Sequence, residues 1–140
     1  MSTAESLQLV KDGYAAFGRG DLLGLLSLLT EDVVWDFPGD GLPMAGSYRG
    51  QDGVASFFEK LRQETDILEF QPREFLADGD RVVVVGWERM KIKSTGRGAE
   101  IDWVMSFTIR DGKIAKFREY TDTKAIADAY ASSAAAAKRS

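Results

Sequence analysis

Three carboxylates, Glu88, Glu119 and Asp122, fall within or at the end of one strand-rich run from Arg81 to Asp122. A carboxyl group held against apolar surface loses the hydration that stabilises its ionised form. Its proton affinity then rises toward the range useful for acid–base work near neutral pH. The sequence contains no His and no Cys. That removes imidazole bases, catalytic triads, thiol nucleophiles and the ordinary ligands of zinc and haem iron. A metal site built of carboxylates alone stays chemically open, but no calcium-loop spacing of acids occurs, so neither a metal nor a cofactor is expected. Each acid also has a structural use. Glu88 and Glu119 can pair with an arginine or a hydroxyl, and Asp122 can cap a helix beginning at Thr123.

The elements that must hold these acids follow from periodicity and turn chemistry. Arg81 to Lys93 is β-branched and aromatic, and the Ser94-Thr95-Gly96-Arg97-Gly98 cluster ends it. A second strand runs from about Ala99 to Arg110. Asp111-Gly112 is a strong hairpin signal, and Ile114 to Tyr120 returns as a third strand. Upstream, Leu7, Val10, Tyr14 and Phe17 recur at helical spacing behind a Ser2-Thr3-Ala4-Glu5 opening, which predicts a helix over residues 3–17. Asp21 caps a short apolar helix over 22–29, which Thr30-Glu31-Asp32 ends, and Val33 to Phe37 reads as a short strand. The Gly- and Pro-bearing loop from Pro38 to Gly50 is a candidate pocket rim, with Tyr48 and Arg49 either closing the mouth or fixing the loop. Val54, Phe57, Phe58 and Leu61 mark a helix over 51–64. Ile67 to Ala77 is a strand whose Pro72 suits a sheet edge, and an Ala-rich helix follows Asp122. Helices should therefore lie on one face of a mainly antiparallel sheet, an α+β plan.

The chain has 140 residues, enough for one domain with its own core. One domain over residues 1–130 is expected, followed by an Ala/Ser-rich tail over 131–140 with little to pack. The formal charge of -4 and the pI near 4.9 argue against nucleic acid as a partner, because phosphate binding needs a clustered basic face. No apolar run approaches the roughly 18 residues of a membrane span, and the N-terminus lacks the basic-then-apolar order of a signal peptide. A cytoplasmic protein without nucleic-acid or membrane partners is expected.

Several segments, in order, carry a family resemblance. They are Tyr14-Ala15-Ala16-Phe17 with Gly20-Asp21, Leu29-Thr30-Glu31-Asp32-Val33-Val34-Trp35, and Tyr48-Arg49-Gly50 ahead of Val54 to Phe58. Asp111-Gly112-Lys113-Ile114 then precedes Arg118-Glu119-Tyr120-Thr121-Asp122. Over residues 5–130 the chain resembles the cone-shaped α+β barrels of the superfamily that holds nuclear transport factor 2, ketosteroid isomerase and the SnoaL-like polyketide cyclases. The resemblance implies a curved sheet around a conical cavity closed by the N-terminal helices. With that orientation, strand alternation turns Phe117 and Glu119 inward, together with Trp103, Met105 and Phe107, with Glu88 and Met90, and with Trp35 and Phe37. Tyr14 on the first helix adds a hydroxyl. The opposite face holds Val83, Val85, Trp87, Val104 and Tyr120 among charges. Similar proteins pair through that face, so a homodimer is expected.

The resemblance implies a small, apolar or amphipathic molecule in the cavity. It admits a cofactor-independent isomerase, cyclase or epoxide-hydrolase-like enzyme, or a non-catalytic ligand-binding or association module. The steroid isomerases' catalytic Asp falls at Phe37 here, their oxyanion Tyr at Gly13, and their protonated acid near Met105. Glu119 falls where similar epoxide hydrolases carry one acid of a pair, Glu88 is a candidate for the other, and the arginine between such acids has no clear counterpart. Asp122 stands where many SnoaL-like members keep an acid after Tyr. The candidate catalytic residues are thus Glu119, Glu88 and Asp122. The candidate ligand contacts are Tyr14, Trp35, Phe37, Met90, Trp103, Met105, Phe107 and Phe117.

Overall fold

The computed structural model describes residues 1–131, so the expected tail lies, but for Ala131, outside the described residues. The chain starts with α1 (Thr3–Gly18) and α2 (Leu22–Leu26), then β1 (Leu29–Phe37), β2 (Gly46–Arg49) and α3 (Gly50–Glu64). Four strands and a helix follow: β3 (Thr65–Asp78), β4 (Arg81–Ile92), β5 (Gly98–Arg110), β6 (Lys113–Thr121) and α4 (Thr123–Tyr130). The six strands form one curved sheet in the order β2-β1-β6-β5-β4-β3. All neighbours are antiparallel except β1 and β6, which run parallel. The sheet does not close on itself, so the expected α+β cone is open between β2 and β3 rather than a complete barrel.

Local chemistry accounts for the boundaries. At the start of α1 the Ser2 hydroxyl accepts from the Glu5 amide while Glu5 accepts from the Ser2 amide, a reciprocal cap that satisfies two orphan donors. Between β5 and β6, Asp111 and Gly112 both have positive φ (53° and 75°), as a two-residue hairpin that matches strand twist requires. Pro72 sits on β3, at the sheet edge, where a missing amide breaks no ladder on the open side. The short second helix differs from expectation. It ends at Leu26, and only Leu25 is buried, with Leu23 81% exposed. Leu29 and Thr30 already belong to β1, which is longer than the expected 33–37 because its pairing with β6 reaches Leu29.

Sheet alternation sets the core. Along β4, Val82, Val84, Glu88, Met90 and Ile92 are buried while Val83, Val85 and Trp87 are half-buried. Along β5, Ile101, Trp103, Met105, Phe107 and Ile109 are buried. On β6 Phe117 and Glu119 point the same way, and Arg118 and Tyr120 are exposed. Helix α1 lies over β3, β4 and β6, and α3 lies over β1, β2 and β3. The inner sheet face is therefore roofed by helices, with β5 and β6 at its centre. Among the described residues, no helix is long and apolar enough to cross a membrane.

Candidate functional site

Under the helical roof the sheet leaves a cavity of about 80 Å³ open to the centre of a water molecule. One water needs only about 10–15 Å³ by this measure, so several waters or a small organic group would fit. Its walls are aromatic and aliphatic: Tyr14 and Phe17 from α1, Trp35 and Phe37 from β1, Phe57, Phe58 and Leu61 from α3, Phe70 from β3, and Met90, Met105, Phe107 and Phe117 from β4 to β6. Two carboxylates, Glu88 and Glu119, enter this wall, and among the described residues no Lys or Arg does. An outer depression shares Phe17, Phe58, Leu61 and Ile67 with the cavity and is rimmed by Arg62, Asp66 and Lys93. Arg62 pairs with Glu59 and Lys93 with Asp66 at the surface. The mouth thus lies between the ends of α1 and α3 and the start of β3. Tyr48 and Arg49 do not reach it: the Tyr48 hydroxyl donates to the Met44 carbonyl at 2.8 Å and fixes the loop.

The strand register explains how the acids meet. Glu119 lies directly opposite Met105 on β5, and Glu88 on β4 is paired with Ile101, farther along that strand. Glu88 is 9% exposed and Glu119 4%. The Glu119 Oε2 atom is buried without a hydrogen-bond partner among the described residues. Burial pushes the Glu88 carboxyl up to about 7. Glu119 is held well above the usual carboxylate range, first by burial and then by the charge of Glu88. The Tyr14 hydroxyl donates to the Met105 thioether at 3.1 Å, a weak acceptor, and burial together with Glu119 raises its proton affinity as well. The cavity therefore holds two carboxyls whose protonated forms burial favours, and a phenol without a strong partner.

Most candidate contacts assemble here, with two exceptions. Tyr14, Trp35, Phe37, Met90, Met105, Phe107 and Phe117 line the cavity, and Trp35 stacks on Phe117 with centroids 3.8 Å apart and planes 15° from parallel. Trp103 does not line it. Its ring fills the space over Gly86, where an added Cβ would stand 2.3 Å from the indole, and it stacks behind Phe70 and Tyr14. Asp122 does not line it either: it is exposed, and its carboxylate accepts from the Ala125 amide at 3.0 Å as the N-cap of α4. Sequence reasoning passed over Phe17, Phe57, Phe58, Leu61, Ile67 and Phe70 as cavity residues. Their helical and strand periodicity marks them only as core, because periodicity cannot show which edge of an apolar stripe borders a void.

Among the described residues, no group of three or more acids could hold a metal ion. The buried acids have a consequence for stability. Since the folded-state proton affinity of Glu88 exceeds its ordinary value of 4.5, the folded chain keeps a proton that the unfolded chain releases between about pH 4.5 and 7. Stability that is fully present below this window is lost as pH rises through it, by about 3 kcal/mol for Glu88 alone. Glu88→Gln should remove that loss. Urea unfolding should show the variant gaining on the parent by about that amount between pH 4 and pH 8, and parallel pH profiles would contradict the burial account.

With the geometry in place, similarity to known proteins assigns the family. A family model described as a SnoaL-like domain matches residues 10–117. A crystal structure of an NTF2-like protein from Burkholderia xenovorans is 45% identical, with a TM-score of 0.87 and coverage of 94% of this chain and 99% of that one. The structure of TerC co-crystallized with polyporic acid is 30% identical, with a TM-score of 0.78 over 89% of this chain and 97% of that one. The uncharacterized protein Rv0034 of Mycobacterium tuberculosis is 26% identical over 86% of this chain and 91% of its own length. The aromatic cone, its helical roof and the domain match over 10–117 place the chain in the SnoaL-like family of the NTF2-like superfamily.

Proposed function

We propose that this SnoaL-like chain binds a small, largely apolar molecule in its cone and moves a proton on it without a cofactor. Glu119 serves as the acid and Glu88 as the base. The observation that carries this reading is the pair of buried carboxyls in one aromatic cavity, both held above the ordinary carboxylate range by burial. Two groups pushed to different affinities divide the labour of proton transfer: the one that stays protonated donates, and the one poised near ambient pH accepts. TerC, which was co-crystallized with polyporic acid, supports a small organic occupant for this cavity. Isomerisation, cyclisation and hydration all fit this apparatus, because each needs a proton removed and another supplied at nearby atoms.

The test uses an apolar ketone, 1-tetralone, in D2O. Wild-type protein should accelerate exchange of the protons beside the carbonyl. Glu88→Gln and Glu119→Gln should each cost about 10²–10⁴-fold in that rate while the ketone still binds. Exchange unchanged in both variants, or wild-type exchange no faster than buffer with the ketone bound, would overturn the catalytic reading.

We further propose that the outer sheet face joins two copies of the chain. Trp87 and Tyr120 stand there under the guanidinium groups of Arg73 and Arg118, beside half-buried Val83, Val85 and Val104. Such a mixture of aromatic, arginine and aliphatic surface suits an interface better than bulk water. Sedimentation at micromolar concentration should give a species of twice 15.4 kDa, and Trp87→Glu should return it to 15.4 kDa; a wild-type monomer would refute the pairing.

A further inference from the structure

We infer that the cavity selects an organic cation, a small aromatic or aliphatic ammonium, over neutral and anionic molecules of the same shape. This rests on the reading that the cavity is a binding site. The argument begins with what the site lacks. Two carboxyls are buried in it, and among the described residues no Lys or Arg lines it. Buried acids are ordinarily held by a cation or by several donors, since an unpaired one costs several kcal/mol. Here Glu119 Oε2 has no partner among the described residues. The titratable groups facing the space from each surrounding element are Tyr14 on α1, Glu88 on β4 and Glu119 on β6; the lining residues of β1, α3, β3, β5 and α4 add none. A structural role as hydrogen-bond glue would have left that oxygen satisfied, and among the described residues no basic side chain lines the space to balance an ionised acid.

The remaining walls have the chemistry a cation needs. Tyr14, Trp35, Phe70, Phe107 and Phe117 all line one space, and Tyr14 is packed against Phe70 and Phe107 beside it. An aromatic cage closed by carboxylate is the arrangement that holds ammonium groups, through attraction of the cation to the rings' negative faces. An anionic ligand would meet two acids and no cation. A neutral ligand could exchange a hydrogen bond with an acid but would bring no charge to balance an ionised one. A cation would also draw the acids toward their ionised forms, so its binding should release a proton to solvent.

The test is a calorimetric comparison of 2-phenylethylammonium, 2-phenylethanol and 3-phenylpropanoate at pH 7, in two buffers of different ionisation enthalpy. The expected result is about tenfold or greater preference for the ammonium over the alcohol, proton release on ammonium binding only, and the carboxylate weakest. In a Glu88→Gln/Glu119→Gln variant the ratio of ammonium to alcohol affinity should fall to about one. Alcohol or carboxylate binding as tight as the ammonium, or ammonium preference untouched in the variant, would overturn cation selectivity while leaving the cavity a binding site. Binding of none of the three would overturn both readings.

Discussion

Two carboxyl groups held inside an aromatic cavity that no Lys or Arg lines among the described residues set the terms for the rest of this molecule. Each costs free energy in its ionised form, so the fold must position them where water and basic side chains are kept away. Glu119 sits on β6, next to the parallel junction with β1, and Glu88 sits on β4, two strands away across β5. The distance between strands and the inward phase of both residues are set by hydrogen-bond ladders, which are stiff. A rearrangement that relieved the acids would break β4, β5 and β6 together. The acids are therefore kept at the expense of stability, and the same burial raises their proton affinities.

The helices finish what the sheet begins. Tyr14, Phe17, Phe58 and Leu61 close the cone from above, and Phe17, Phe58 and Leu61 also border the outer depression beside Arg62, Asp66 and Lys93. Tyr14 joins both layers: its ring packs on Trp103, Phe70, Phe75 and Phe107, and its hydroxyl reaches Met105 opposite Glu119. A phenol whose acceptor is a thioether can exchange it for a ligand oxygen at little cost. In the proposed function the apolar walls are the binding surface for such a ligand and the acids supply its chemistry.

Much of this was legible in the residues because strand alternation is strict. Once Phe117 is turned inward, Glu119, Met105, Phe107, Met90 and Glu88 follow from period two, and the buried set along β4 and β5 keeps that phase without a slip. Other features were not legible, for identifiable reasons. The parallel pairing of β1 with β6 joins segments some eighty residues apart, and nothing local announces it. Leu28-Leu29 continues an apolar run, so the onset of β1 reads as the tail of a helix. Trp103 has the inward phase but lies over Gly86, and only the three-dimensional gap above a glycine shows that it packs behind the wall rather than in it. Asp122 follows the strand pattern of an acid near the site, yet the helix after it takes its carboxylate as a cap.

The central claim is that burial has raised the proton affinity of two carboxyls within one cavity. Titration of the ¹³C-labelled Glu side-chain carboxyls by NMR reads this directly, residue by residue, with Glu88→Gln and Glu119→Gln supplying the assignments. The account predicts a midpoint near 7 for Glu88 and one well above the ordinary carboxylate value for Glu119. Midpoints for both near the ordinary value of 4.5 would contradict it.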